Sequence, residues 1–238
     1  MSTSADPFFE PYDRDQIAYG STPSAAIHSY LEQVSGSGLA LDLGAGAGRD
    51  TIALANAGFD VTAVDLSERG LERVQQRAEA ANVGDRVSTH VGDVREFEMT
   101  PGRYSAIVAT TVLDHIPADD AIHVWNRMIA GLTSNGVLFV EVHSTEDPGS
   151  DQPPGNHSDA PKSETAGAVV NYFAPNQLIR WATDPQANLR VLRYEERLEW
   201  DYTHGAEHLH GKAILLAVRS ETYPKWFGQP QAFPRRKG

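Results

Sequence analysis

The sequence predicts an α/β protein with a mostly parallel sheet, and three observations support that prediction. Short apolar runs alternate with helical patterns between residues 39 and 142. A glycine-rich stretch, LDLGAGAGRD at Leu41–Asp50, spans the end of the first run and the turn after it. Two strand-like runs, Leu189–Trp200 and Lys212–Arg219, flank a polar stretch and predict a closing antiparallel hairpin. A β-α-β-α rhythm implies right-handed crossovers, with ligands bound at the carboxyl ends of the strands.

Each element follows from apolar periodicity and from residues that begin or end helices. Gly58 ends the first helix, Ser67 is the predicted N-cap of the second, and Asn82 with Gly84 stops it. The predicted strands before the hairpin are Leu39–Leu43, Phe59–Asp65, Val87–Val91, Tyr104–Ala109 and Gly136–Val142. The predicted helices are Asp50–Ala57, a second with the buried face Leu71, Val74, Ala78 and Ala81, a third with the face Ile122, Trp125, Ile129 and Leu132, and Pro175–Ala182.

The chain divides into an N-terminal cap segment (residues 1–37), a main domain (38–219) and a C-terminal tail (220–238). Within the domain, residues 143–170 are polar and rich in proline and glycine, and they are too long for a passive connector. Two interpretations of this segment remain open: a disordered insertion, or a lid over the site.

Composition excludes several classes of protein. The 238-residue chain carries a net charge of −12, and its only basic run is Arg235–Lys237, which argues against a nucleic-acid partner. It has no cysteine, so disulfides, thiolate metal sites and a cysteine nucleophile are excluded. There is neither a signal-peptide pattern nor an 18-residue apolar run, so we expect a cytoplasmic protein without a membrane partner.

The glycine-rich turn predicts a nucleoside-type ligand. Gly44, Gly46 and Gly48 follow the spacing G-x-G-x-G, with Arg49 where a dinucleotide fingerprint would carry its third glycine. Such a turn lets the backbone approach a ligand and exposes amides at a helix N-terminus.

Two aspartates at strand ends extend that site. Asp65 ends the second predicted strand and is suited to accept hydrogen bonds from both ribose hydroxyls. Asp93 follows the third strand and is suited to bind an adenine amino group. Each feature alone is weak, but all of them lie on consecutive βα units.

Taken together, the motifs DLGAGAG at residues 42–48, Asp65 and GDV at residues 92–94 resemble the S-adenosylmethionine site of class I methyltransferases. That resemblance implies a Rossmann-like fold with a seven-stranded, mostly parallel sheet whose last strand is antiparallel. It implies S-adenosyl-L-methionine as cofactor and S-adenosyl-L-homocysteine as product. The cofactor-binding residues it implies are Asp42, Gly44, Ala45, Gly46, Gly48, Asp65, Leu66, Asp93, Val94 and Thr110.

The flanking motifs are similar to those of the tellurite-resistance (TehB-like) small-molecule methyltransferases. These motifs are AYGSTP at residues 18–23, NYFAP at 171–175, DYTHG at 201–205 and HLHG at 208–211. His204 matches a hairpin histidine that faces the substrate in that family. The family's hairpin arginines are replaced here by Gly205 and, approximately, His210, and these replacements remove the fixed charge that a chalcogen oxyanion needs.

A small-molecule acceptor is therefore predicted, with Tyr19, His115, His204 and His208 as substrate-facing residues. His115 lies just past the fourth strand, where this fold presents the transferring methyl group. A hydroxyl acceptor needs a base near pH 7, so His204 and His115 are the predicted catalytic residues.

Three alternatives remain open from sequence. His204, His208 and His210 share strand parity and could bind a metal, although Gly205 predicts a turn that disturbs this parity, and we assign no metal ligand. The protein could bind S-adenosylmethionine for an activity other than methyl transfer. An NAD-dependent dehydrogenase is a weaker third possibility, because Arg49 replaces the dinucleotide glycine.

Overall fold

A computed structural model describes residues 20–150 and 160–224 of the chain. Among those residues there are seven strands and five α-helices; the strands and four of the helices follow the predicted order, and the helix at Ala25–Leu31 was not predicted. The strands are β1 (Leu39–Leu43), β2 (Asp60–Asp65), β3 (Val87–Val91), β4 (Tyr104–Thr110), β5 (Leu132–His143), β6 (Leu189–Asp201) and β7 (His208–Arg219). The helices are α1 (Ala25–Leu31), α2 (Arg49–Ala57), α3 (Glu68–Ala80), α4 (Ala118–Gly131) and α5 (Gln177–Thr183).

The strands form one sheet in the order β3-β2-β1-β4-β5-β7-β6. All neighbouring pairs are parallel except those of β7, which runs antiparallel to both β5 and β6. The prediction of a seven-stranded, mostly parallel sheet with an antiparallel last strand is confirmed. The strand order reverses between β1 and β4, and in open α/β sheets such a point is where ligands bind.

Apolar side chains cover both faces of the sheet. Successive residues of one strand point to opposite faces, and Leu138 and Phe139 accordingly belong to two different buried clusters. Helices α4 and α5 pack into the first cluster, and α1 and α2 pack into the second. The described part of the cap segment is thus a helix seated on the sheet, with Ala26, Ile27 and Tyr30 buried.

Helix ends follow the predicted chemistry. Gly58 ends α2 with φ of 108°, a left-handed conformation that favours glycine. Ser67 caps α3, and its hydroxyl accepts a hydrogen bond from the Gly70 amide at 2.9 Å. Asn82, with φ of 57°, follows the C-cap of α3, where the predicted end of that helix lies.

Parts of three predicted elements were wrong. On α4, Trp125 and Ile129 of the predicted face are buried, whereas Ile122 is 43% exposed. Strand β5 begins at Leu132, which was predicted as part of that helix, four residues before the predicted start of the strand. Strand β7 begins at His208, four residues before the predicted start, because its pairing with β6 continues to Asp201↔His208. Within the described residues no helix has the length and apolarity needed to cross a membrane.

Candidate active site

A cleft of about 320 Å³ opens where the carboxyl ends of the parallel strands meet. Nine of the ten predicted cofactor-binding residues line it, all except Gly48. Both predicted catalytic histidines, His115 and His204, line it as well. His208 does not, and Tyr19 lies outside the described residues.

The glycine-rich turn after β1 is built from alternating left-handed residues. Gly44, Gly46 and Gly48 have φ of 67°, 52° and 84°, which explains the G-x-G-x-G spacing. A Cβ at Gly44 would collide with the side chain of Val112. A Cβ at Gly48 would meet the Val74 backbone at 3.3 Å, so this glycine permits close packing of α3 rather than forming the cleft wall.

Asp65 is held rigidly at the end of β2. Its Oδ2 accepts a hydrogen bond from the Gly46 amide at 2.8 Å, and its Oδ1 accepts one from the Ser67 amide at 2.7 Å. Burial raises the pKa of Asp65, and these amides act in the opposite direction. Each carboxylate oxygen retains acceptor capacity, so the side chain can still bind two hydroxyl donors.

Two further carboxylates lie at the floor of the cleft. Asp42 Oδ2 accepts a hydrogen bond from Thr51 Oγ1 at 2.5 Å, and burial together with the charge of Asp50 raises the pKa of Asp42 to about 8. Asp50 Oδ2 accepts hydrogen bonds from Thr110 Oγ1 at 2.8 Å and Arg49 at 3.2 Å. Asp50 Oδ1 is buried and has no hydrogen-bond partner among the described residues. The floor therefore provides an acceptor for a cationic group.

Asp93 is bound by a neighbouring arginine. Arg95 donates to its two carboxylate oxygens at 2.6–3.0 Å, and these hydrogen bonds lower the pKa of Asp93. A ligand amino group would have to share that carboxylate with Arg95. This contact was not predicted, because two residues two positions apart on a turn have no periodic pattern that indicates it.

Four imidazole rings form a row along the opposite wall. His115 and His143 have ring centroids 5.8 Å apart, His143 and His210 are 4.6 Å apart, and His210 and His204 are 5.9 Å apart. All four residues line the cleft. The two histidines predicted from sequence are thus the ends of a longer row.

The centre of this row is an aspartate–histidine pair. His143 Nδ1 lies 2.5 Å from Asp114 Oδ2, and the same oxygen accepts the His143 backbone amide at 3.1 Å. Burial lowers the pKa of His143, but the hydrogen bond and charge of Asp114 outweigh it, and the net pKa is raised. With Nδ1 donating to the carboxylate, Nε2 of a neutral His143 is an acceptor.

The ends of the row are held by other segments. His115 Nδ1 donates to the Ala168 carbonyl oxygen at 3.2 Å, and His204 Nε2 is hydrogen-bonded to Ser163 Oγ at 3.1 Å. Burial lowers the pKa of both rings, that of His204 to about 4. Both partners lie in residues 160–170, the described second half of the predicted lid or insertion.

Comparison with known proteins places the chain in a family. The profile of the family described as "Methyltransferase domain" matches residues 40–136. The 27-O-demethylrifamycin SV methyltransferase of Amycolatopsis mediterranei is 30% identical over 205 residues, which cover 81% of this chain and 71% of that protein. The chain belongs to the class I S-adenosylmethionine-dependent methyltransferases.

Two further relatives differ in how much they share with this methyltransferase. YqeM of Bacillus subtilis (strain 168), named as a methyltransferase, is 32% identical over 110 residues, 45% of this chain and 43% of YqeM. The crystal structure of TehB from Haemophilus influenzae has a TM-score of 0.64 at 20% identity and covers 89% of this chain and 65% of TehB. The chain thus spans less than two thirds of the length of either protein, and the TehB likeness concerns the fold.

S-adenosylmethionine is the cofactor of this methyltransferase, and the cleft fits it chemically. Gly44 and Gly46 line the cleft without side chains, Asp65 retains acceptors for a ribose, and Asp50 Oδ1, which has no partner among the described residues, is an acceptor suited to the ammonium group. Thr111, the residue after β4, has φ of 52°, which a β-branched residue rarely adopts. Backbone strain of this kind is frequent at functional sites.

Several residues of the site were not predicted from sequence. His143 could have been found, because it ends β5 at the same sheet edge as Asp65. Asp114 and Lys212, which also lines the cleft, had no comparable signal: their positions depend on how the loop after β4 and the edge hairpin meet the end of β5.

Proposed function

We propose that the protein transfers the methyl group of S-adenosylmethionine to a hydroxyl group of a small molecule. The supporting observation is that one cleft is lined both by the glycine turn of the cofactor site and by the row of four imidazoles. The rifamycin relative, which covers most of the chain, is named for O-methylation of a small molecule and favours the same acceptor class.

The floor and the glycine turn hold the cofactor in this proposal. Asp65 binds the ribose hydroxyls, Asp50 faces the ammonium group, and the Arg49 guanidinium, which also lines the cleft, faces the carboxylate. The sulfonium supplies an electrophilic methyl carbon. What remains for the chain is to orient the acceptor in line with that carbon and to remove its proton.

His143 is the base that the geometry favours. When bound, the cofactor would supply the methyl group to the acceptor oxygen and leave as the neutral thioether, and Nε2 of neutral His143 would take up the hydroxyl proton. Asp114 keeps Nδ1 protonated and stabilises the imidazolium that forms. The raised pKa makes His143 a stronger base than the other cleft histidines, whose pKa values burial lowers.

His115 and His204, the bases predicted from sequence, then orient the acceptor from the two ends of the row. At neutral pH a ring with a pKa of about 4, as in His204, is neutral, and it donates or accepts a hydrogen bond without taking up a second proton.

We also propose a cytoplasmic location for the protein.

Incubation of the protein with S-adenosylmethionine and a panel of small alcohols, phenols, thiols and carboxylic acids tests the function. We expect S-adenosylhomocysteine to form only with hydroxyl acceptors, with one methyl group gained by the acceptor in mass spectrometry. Tight cofactor binding without S-adenosylhomocysteine formation on any class would contradict methyl transfer. Turnover of thiols alone would contradict the acceptor class.

A further inference from the structure

Two buried imidazoles at the start of β7 point their Nε2 atoms toward each other. His208 and His210 are two residues apart on one strand and so share a face, and they are 1% and 4% exposed. Their Nε2 atoms are 3.0 Å apart. What lies between these atoms depends on where the ring protons are.

Hydrogen bonds at the other ring nitrogens fix those protons. His208 Nδ1 is 2.6 Å from the Ala206 carbonyl oxygen, which can only accept, so Nδ1 carries a proton. His210 Nδ1 is 2.9 Å from Asp147 Oδ2, which also accepts the Gly211 amide at 3.1 Å. Because that oxygen accepts the Gly211 amide, it is an acceptor toward His210 as well, and His210 Nδ1 is the donor.

Both Nε2 atoms of the neutral rings therefore present lone pairs to each other. Two acceptors at 3.0 Å repel unless a positive charge is shared between them, and only a proton or a metal ion can supply that charge. Two imidazoles bound at about 90° to one ion with bonds of about 2.1 Å have nitrogens about 3.0 Å apart.

A third imidazole completes the set. The ligand nitrogens of His204, His208 and His210 all lie within 4.8 Å of one another. The His204 ring is 4.6 Å from that of His208 between centroids. Sequence parity alone did not show this, because the turn at residues 202–207 separates His204 from the strand.

We propose that His204, His208 and His210 bind one divalent transition-metal ion of the zinc, cobalt or nickel class. Neutral imidazoles suit these ions, and a carboxylate or carbonyl on the opposite ring nitrogen, as Asp147 and Ala206 provide, is the usual outer partner of a metal-bound histidine. The ion fixes the hairpin turn against β7. His204 and His210 also line the cleft, so the ion lies at its acceptor end.

The test uses untagged protein that has been treated with a chelator and dialysed. We expect calorimetry with Zn²⁺ to give about one equivalent, elemental analysis after gel filtration to agree, and Co²⁺ to develop visible d–d absorption. His208→Gln should weaken Zn²⁺ binding at least about tenfold. His123→Gln, at an exposed position on α4, is the matched control and should leave it unchanged.

S-adenosylhomocysteine binding checks that each variant is folded, and His204→Gln, at a less buried position, is the second ligand variant. Absence of saturable Zn²⁺ and Co²⁺ binding by the wild-type protein would overturn the site and leave a shared proton between the rings. Equal binding by wild type and by both folded ligand variants would overturn it as well. None of these readouts depends on methyl transfer, so the site and the proposed function fail separately.

Discussion

Asp114 organises the acceptor side of the cleft at the scale of single residues. One of its oxygens accepts both the side chain and the backbone amide of His143, and its own backbone oxygen accepts the amides of Val170 and Asn171, each at 3.0 Å. Loss of its negative charge would leave a buried imidazole without the partner that fixes its tautomer. Positioning of the base thus depends on a residue that does not line the cleft.

The raised pKa of His143 predicts a particular pH dependence. A base is active when deprotonated, so kcat/KM should rise with pH through an apparent pKa above the ordinary histidine value of about 6.5. His143→Gln should lower kcat by roughly 10²–10⁴-fold and flatten that rise. Asp114→Asn removes the charge that raises the pKa and should shift the rise to lower pH. Rate profiles from pH 5 to 9 on an identified acceptor provide the measurement.

Two comparisons make this prediction decisive. His123→Gln, an exposed histidine on α4, should retain the wild-type profile. A His204→Ala protein, freed of metal, should lose less turnover than His143→Gln. If His204→Ala instead loses more turnover than His143→Gln, and the pH profile of His143→Gln is unchanged, His204 is the base and the prediction is wrong.

The sequence predicted the placement of residues where a strand end and a glycine spacing coincide. Asp65, Gly44, Gly46 and His115 line the cleft, as the order of the strands implied, whereas their roles in binding and catalysis stay predictions. The Asp114–His143 pair was not predictable, because it joins the loop after β4 to the end of β5 by a side-chain contact between residues 29 apart in sequence. A hydrogen bond between residues that far apart has no periodicity in the sequence.

At the scale of elements, the segment after β5 connects the cleft to the edge hairpin. The Pro161 carbonyl oxygen accepts the Leu209 amide at 3.1 Å, Ser163 contacts His204, and Thr165 lines the cleft. Ala168 contacts His115 at the other end of the histidine row. Residues 160–170 therefore span both ends of the row, which supports the lid interpretation for this part of the segment.

We predict that a ligand in the cleft slows hydrogen exchange in residues 163–170. Their contacts reach the cleft wall, so occupancy should restrain them more than residues 184–188, which do not line it. With saturating S-adenosylhomocysteine we expect at least about threefold slower exchange in the first segment and no change in the second. Identical exchange of both segments with and without ligand would leave these residues as a static insertion.

The ends of helices and strands were predictable where a helix-terminating glycine or a capping residue occurs, and not elsewhere. Gly58 and Ser67 set the ends of α2 and α3 as expected. The start of β7 was missed because its first residues, HLHG, are polar or small and have no strand-like pattern, although the pairing with β6 buries them. Of the predicted α4 face, Ile122 lies on the solvent side, because apolar character alone does not decide which helical residues are buried.

At the scale of the whole molecule, strand order brings the two halves of the site together. β1 and β4 are neighbours although β2 and β3 lie between them in sequence, so the glycine turn after β1 meets the loop that carries His115. The antiparallel β7 then places His210 and Lys212 beside the end of β5. The rhythm and the hairpin predicted a parallel sheet with a closing antiparallel pair, and the family resemblance implied seven strands, but neither predicted which side chains contact one another across the sheet.

Calorimetric titration of S-adenosylhomocysteine into the wild-type protein, Asp65→Ala and Asp60→Ala tests the central claim, that this cleft binds the cofactor through its ribose. Asp60 is the exposed aspartate at the other end of the same strand, where it pairs with Arg86 at 3.1 Å, so its loss controls for a change on β2. Asp65→Ala removes a charged acceptor of two hydroxyls, at roughly 1.5–3 kcal/mol for each hydrogen bond. We predict at least tenfold weaker binding for Asp65→Ala and wild-type affinity for Asp60→Ala; an unchanged dissociation constant in Asp65→Ala would contradict the account.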